Sequence, residues 1–234
     1  MKKSSPPANL MVDVRFIEKI IAYSDLKPSE TVLEIGAGTG NLTVALAEKA
    51  GRVYAIERNT EFCGGLKKRF SGKRNVEIIC GDALRIKFPE YDKIVSNLPY
   101  EISKKITERF LTEGFKYAVL VYQKEFAQKL VAKPGNDNYR FISALAQSCA
   151  EIEVLDTIPP NAFSPQPAVD SSIVRMRQTM VPEEDYVIFL RDLFNHKNKM
   201  LRTLIDVDEE FSEKRPCELS PQELRRVYTS FCDP

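Results

Sequence analysis

Thr31-Val32-Leu33-Glu34-Ile35-Gly36-Ala37-Gly38-Thr39-Gly40-Asn41 decides how this chain folds. Its apolar positions Val32, Leu33 and Ile35 suit a buried strand, and they run straight into Gly36, Gly38 and Gly40. Behind them Leu42, Val44, Ala45, Leu46 and Ala47 follow the spacing of an amphipathic helix. Strand, glycine turn and helix in that order open an α/β nucleotide-binding unit. Glycine supplies positive φ and lets a ligand approach the backbone where a Cβ would clash.

Outward from that stretch, strand-like runs at 52–57, 76–80, 92–97 and 117–122 alternate with helical spacing. The helical segments are 14–23, 59–70, 102–111, 124–131 and 141–150, and the strand at 76–80 closes on Gly81-Asp82. Such alternation predicts βαβ units and a parallel sheet. Residues 152–158 and 172–176 read as an antiparallel pair at the sheet edge, joined through the proline-rich run Pro159 to Pro167. After Pro182 the pattern is helical from Tyr186 through Phe231, with a break near Pro216 and an N-cap at Ser220 before Pro221. The expected fold class is α/β: a Rossmann-like sheet with helices on both faces over residues 1–180, plus a small C-terminal all-α domain over 181–234.

Composition narrows the chemistry. Charged residues are 29% and hydrophobic residues 43% of the 234, ordinary for a soluble globular protein. No apolar run approaches the ~18 residues of a membrane span, and Met1 to Pro7 reads as a short flexible arm without the apolar core of a signal peptide. Cys63, Cys80, Cys149, Cys217 and Cys232 are scattered, so they are expected as reduced thiols in a cytoplasmic protein, with neither disulfide framework nor zinc site. His196 is the one histidine, which removes histidine-dependent triads and two-histidine metal sites. A net charge of +1 leaves any RNA contact to local patches. Lys67-Lys68-Arg69, Lys73-Arg74, Lys104-Lys105 and Lys197 with Lys199 and Arg202 are the candidates, though such runs are commonly solvated faces.

The glycine spacing discriminates between cofactors. A dinucleotide fingerprint needs its third glycine where Asn41 stands. Here it falls at Gly40, and E-I-G-x-G-x-G resembles the first motif of S-adenosylmethionine-dependent methyltransferases. Glu57, at the end of the second strand of the unit, stands where such folds place a carboxylate on ribose hydroxyls, or else is a solvated strand end. Asp82 lies at the ligand edge as a contact or a turn residue.

Asn97-Leu98-Pro99-Tyr100 follows an apolar strand at that same edge. As a plain turn it would need no further account. An adenine amine, however, is a poor nucleophile because its lone pair is delocalised into the ring. Two acceptors on its N–H groups favour the pyramidal geometry that frees the pair. The Asn97 side-chain oxygen and a carbonyl of the Leu98-Pro99 turn are suited to that task, Pro99 stiffening the turn and Tyr100 stacking on the base. The segment resembles the (N/D)-(L/I/P)-P-(Y/F) motif of amino-group methyltransferases.

The resemblance extends over nearly the whole chain. Gln123-Lys124-Glu125-Phe126, Leu130 to Gly135, Pro159 to Ser171, and Phe194-Asn195 with Lys199 and Leu201-Arg202 are similar to the rRNA adenine N6,N6-dimethyltransferase family, nearest its small-subunit, kasugamycin-resistance branch. That resemblance implies a cytoplasmic monomer using S-adenosyl-L-methionine to dimethylate two adjacent adenosines of small-subunit rRNA, with no metal and no membrane. It implies cofactor contacts at Asn9, Met11, Gly36, Gly38, Glu57, Asp82 and Asn97, and catalytic positions at Asn97, Leu98, Pro99, Tyr100 and Phe163. Phe163 would be the second stacking face, opposite Tyr100, or a core aromatic. The family usually opens with Gln-(Asn/His)-Phe-Leu, whereas this chain has Ala8-Asn9-Leu10-Met11. Two other readings stay open: a large-subunit rRNA methyltransferase, and an RNA-binding assembly or transcription factor that has lost catalysis.

Overall fold

The computed structural model describes residues 9–232, so the expected arm at 1–7 lies outside the described residues. In chain order it contains β1 (Leu10–Met11), α1 (Val14–Ser24), β2 (Thr31–Ile35), α2 (Asn41–Lys49), β3 (Arg52–Glu57), α3 (Thr60–Arg69), β4 (Val76–Cys80), β5 (Lys93–Asn97), α4 (Ser103–Glu113) and β6 (Tyr117–Gln123). There follow α5 (Lys124–Leu130), α6 (Phe141–Cys149), β7 (Ala150–Ile158), β8 (Phe163–Ser164), β9 (Ser171–Gln178), α7 (Glu184–Asn195), α8 (Glu209–Ser212) and α9 (Pro221–Cys232).

Seven strands form one sheet in the order β4-β3-β2-β5-β6-β9-β7. The five from β4 to β6 are parallel. Strand β9 inserts antiparallel between β6 and β7, so the expected antiparallel pair closes one edge. Side chains alternate between the two faces of a strand, and both faces here are apolar. Val32, Val53, Val95 and Val121 pack with Ile17 and Ile20 of α1 and Leu42 and Leu46 of α2. Leu33, Ile94, Leu120 and Val174 pack with Ile106 and Phe110 of α4 and Ile142 and Leu145 of α6. Helices on both faces follow from that double burial.

Three features differ from the sequence expectation. The helical pattern after Pro182 divides into α7, α8 and α9, with turns and 3-10 segments across 196–208. Thr203, Ile205 and Val207 there are β-branched, and Asp206 and Asp208 are poor helix formers, which weakens helix formation. The expected cap survives: Ser220 Oγ accepts the Glu223 N–H while Glu223 accepts the Ser220 N–H, a reciprocal box ahead of Pro221. Second, β1 and β8 form a separate two-stranded ribbon. Third, Cys63 and Cys80 are joined as a disulfide with Cα atoms 5.8 Å apart, which corrects the expectation of reduced thiols only. The β3–α3–β4 crossover brings together cysteines 17 positions apart that no local motif links.

Helix α3 forms despite Gly64-Gly65, which cost helix stability. A Cβ on either glycine would meet nothing within 4 Å, so both face open space, while Cys63 and Leu66 are buried on the opposite side.

Helix α2 carries the glycine turn, and Leu46 is its fully buried anchor. Replacing Leu46 with Ala is expected to destabilise the fold by about 2–5 kcal/mol. Urea denaturation checks this, with a loss below about 1 kcal/mol arguing against the anchor role.

Candidate active site

The strand order turns back on itself between β2 and β5, and the sheet opens there. The two strands pair only at Val32↔Lys93 and Leu33↔Ile94. Beyond those positions the Ser96 hydroxyl accepts the Ile35 N–H at 2.7 Å in place of a ladder bond. A switch point of this kind leaves a crevice at the carboxyl ends of the strands. The glycine turn leaves β2 on one side of it, and Asn97 ends β5 on the other.

Gly36, Gly38 and Gly40 have φ of 74°, 57° and 86°. A Cβ on Gly36 would lie 2.6 Å from Pro99 Cγ, and one on Gly38 would lie 2.5 Å from Leu10 Cδ2. The two motifs therefore touch across the crevice, and the N-terminal strand lies over the loop. Glu57 Oε2 accepts the Gly38 N–H at 2.9 Å, and Oε1 accepts the Asn59 N–H at 2.7 Å. The carboxylate is thus held by the glycine loop and by the start of α3. On β4, Gly81 donates its N–H to the Glu57 carbonyl at 2.9 Å. Asp82 is next, with Oδ1 accepting the Leu84 N–H at 3.0 Å. Arg69, in one of the candidate basic patches, donates to the Thr39 carbonyl at 2.5 Å and to Asn41 Oδ1 at 3.3 Å.

On the other side, the Asn97 amide nitrogen donates to the Asn9 carbonyl at 3.1 Å. Its oxygen is buried and has no hydrogen-bond partner among the described residues. Leu98 packs in the core at 1% exposure. The Pro99 carbonyl accepts the Ile102 N–H at 3.1 Å and the Ser103 hydroxyl at 3.4 Å. The Tyr100 hydroxyl lies 2.6 Å from Ser171 Oγ, and burial raises its pKa.

The β1–β8 ribbon sets Met11 opposite Phe163, and Asn41 Nδ2 donates to the Met11 carbonyl at 3.0 Å. Asn9, Met11, Gly36, Gly38, Glu57, Asp82 and Asn97 are in this way connected through one set of contacts. Phe163 belongs to the same ribbon, but its ring is 2% exposed and packs with Met11, Ile17 and Ile173. An open ring face at Phe163 is not present in this arrangement.

Sequence reasoning missed Leu10, Ser96, Ser171 and Glu34. Glu34 carried a legible signal, an acid inside an apolar strand. Its carboxyl is 2% exposed and accepts the Thr43 hydroxyl at 2.6 Å. Burial pushes its pKa up to about 8, against the lowering effect of that hydrogen bond, and the nearby Glu57 adds to the rise. A neutral acid therefore braces β2 against α2 beneath the loop.

Comparisons with known proteins bear on the chain as a whole. The profile of the ribosomal RNA adenine dimethylase family matches residues 2–216. A Methanothermobacter thermautotrophicus protein named probable ribosomal RNA small subunit methyltransferase A is 42% identical over 238 residues, covering 94% of this chain and 87% of that one. A Thermococcus sibiricus protein of the same name is 40% identical, covering 94% and 84%. Among solved structures, a dimethyladenosine transferase from Plasmodium falciparum superposes with a TM-score of 0.85 at 28% identity, covering 95% of this chain and 97% of that one. The 23S rRNA methyltransferase ErmE shares the fold, with a TM-score of 0.77 at 24% identity over 96% and 100% of the two chains.

Glu34 sets a pH dependence. From its ordinary value of 4.5 up to about 8, the unfolded chain ionises Glu34 while the folded chain keeps the proton. The folded state then binds more protons, so stability falls as pH rises through that window and levels off above it. Glu34→Gln is expected to flatten this fall, read from urea midpoints at about pH 5 and pH 8. A wild-type slope retained in the variant would refute it.

Proposed function

The chain belongs to the ribosomal RNA adenine dimethylase family, and from that premise we propose that it transfers methyl groups from S-adenosyl-L-methionine to N6 of two adjacent adenosines in small-subunit rRNA. The observation that carries this reading is the buried Asn97 Oδ1 with no partner, set against the glycine loop through Pro99. The small-subunit substrate comes from the names of the relatives. We take residues 1–180 as the transfer domain and 181–234 as a small helical domain, in a monomer acting in the cytoplasm. No helix among the described residues is long and apolar enough to cross a membrane.

The residues present fit the cofactor. Gly36 and Gly38 line the loop without side chains, and Glu57, with each oxygen already held by one backbone N–H, keeps lone pairs for the ribose hydroxyls. Asp82 takes the adenine amine, and Asn9, just ahead of β1, and Met11, within it, cover the site. When bound, the cofactor supplies an electrophilic sulfonium methyl.

The remaining work falls to the chain. Asn97 Oδ1 accepts one N–H of the target amine. The Pro99 carbonyl is engaged by Ile102 and Ser103, so the Leu98 carbonyl is the second acceptor. The pair directs the nitrogen lone pair towards the methyl. Orientation of this kind is worth about 7–11 kcal/mol in favourable cases, so a strong general base is not required, and the proton leaves to solvent after transfer. Tyr100, held by Ser171, stacks on the base. Phe163 forms the opposite face once the β1–β8 ribbon shifts, since its ring is covered in the present arrangement. Base–aromatic stacking of ~1–3 kcal/mol is comparable with the cost of flipping the base out.

The direct test is transfer from labelled cofactor to unmodified small-subunit particles and to large-subunit rRNA, followed by nucleoside analysis. Dimethyladenosine in the small-subunit product is expected; product confined to large-subunit rRNA, or none despite cofactor binding, overturns the reading. Glu57→Ala removes a charged acceptor worth about 1.5–3 kcal/mol, so cofactor affinity should fall by roughly 10-fold or more. Unchanged affinity by calorimetry would remove its ribose role. Phe163→Ala should cut transfer with little change in cofactor affinity, whereas equal loss of both assigns the ring to the core.

A further inference from the structure

We infer that the Cys63–Cys80 disulfide is a covalent staple of the cofactor pocket, and that cofactor affinity follows the redox state of this pair; the inference rests on the S-adenosylmethionine reading above. The cross-link occupies a particular place. Cys63 lies in the first turn of α3, just after Asn59, whose N–H holds Glu57 Oε1 at 2.7 Å. Asn59 also caps α3, its side chain accepting the Glu61 and Phe62 N–H groups. Cys80 is the register partner of Glu57 on β4 and stands two residues before Asp82. Gly81, between them, donates to the Glu57 carbonyl. The disulfide thus ties the helix that aims the ribose carboxylate to the turn that carries the adenine contact.

Helix α3 has reason to depend on the tether. Gly64-Gly65 follow Cys63 directly, and each lowers helix stability. Apart from the Asn59 cap, Cys63 and Leu66 are the residues of α3 that bury. A cross-link restricts the open states available to such a segment. The other cysteines, Cys149, Cys217 and Cys232, are free.

The chemistry balances with a disulfide exchanger. In oxidation, the two thiols lose two protons and two electrons to glutathione disulfide, which leaves as two glutathione thiols. In reduction, a thiolate of a dithiol attacks the sulfur of Cys80, which lies at an exposed strand end. The Cys63–Cys80 bond breaks and Cys63 leaves as a thiolate that takes a proton. The second thiol of the reductant then closes its own disulfide and releases Cys80. Coupling is reciprocal, so bound cofactor makes the pair harder to reduce.

The test uses the full chain equilibrated with glutathione disulfide or with dithiothreitol, its thiols counted with maleimide after denaturation. Three labelled thiols are expected in the oxidised protein and five in the reduced. Calorimetry with S-adenosylmethionine should give an affinity at least about fivefold weaker after reduction. Saturating cofactor should move the thiol midpoint about 20 mV to more reducing values, the two-electron equivalent of that factor. Cys80→Ser should bind like the reduced wild type in both buffers. Five labelled thiols under oxidising conditions, or equal affinity in the two wild-type states, overturns the inference and leaves the cofactor reading standing. Absence of binding in both states overturns the cofactor reading and this inference with it.

Discussion

Pro99 fills the space that a side chain at Gly36 would need, and the open edge of the sheet is built around that contact. The β2–β5 ladder ends after two register positions, so backbone pairing does not hold the two loops in place. Their alignment rests on the bare face of Gly36 against the proline ring and on the Ser96–Ile35 bond. Any side chain at position 36 would be overpacked, at a cost of about 1–3 kcal/mol, and would adopt a φ that L-residues rarely take. The displaced proline would carry Asn97 and Tyr100 with it. A glycine in one motif is thus a condition for the geometry of the other.

Two acids flank the same loop and are used differently because of what donates to them. Glu34 receives a single hydroxyl and is buried from both sides, so it keeps its proton and acts as a neutral brace. Glu57 receives two backbone N–H groups, one from the loop and one from the start of α3. Hydrogen bonds to both oxygens fix its direction. The loop therefore orients the carboxylate proposed to meet the ribose.

Legibility in the sequence followed the range of the interactions. Local features were readable: the strand–glycine–helix unit, the strands at 52–57 and 76–80, the Ser220 cap, and the two motifs at the sheet edge. They are set by periodicity, turn chemistry and caps over a few residues. The β1–β8 ribbon was not readable, since two-residue strands have no period and their pairing spans most of the chain. The same holds for Tyr100 with Ser171, for Leu10 over Gly38, and for Cys63 with Cys80, which depend on tertiary placement. The charge of Arg69 was visible in the sequence, while its acceptors at Thr39 and Asn41 were not. The burial of Phe163 follows from the ribbon too.

The ribbon also accounts for why the site suits an exocyclic amine. Asn97 commits its amide nitrogen to the Asn9 carbonyl, and that bond determines which end of the amide faces the crevice. The oxygen is left buried without a partner among the described residues, a state that costs about 1–3 kcal/mol until a donor arrives. A ring nitrogen without hydrogen cannot relieve that cost. On the proposed reading the Leu98 carbonyl is the second acceptor, because the Pro99 carbonyl already belongs to the start of the following helix. A hydroxyl then relieves the cost once and leaves the second acceptor unserved. An amine with two N–H groups answers both acceptors, and in doing so it turns its lone pair away from the ring. On the proposed reading, recognition of the nucleophile and its activation are the same pair of hydrogen bonds, and both depend on the backbone carbonyl of Asn9, the residue just ahead of the two-residue N-terminal strand.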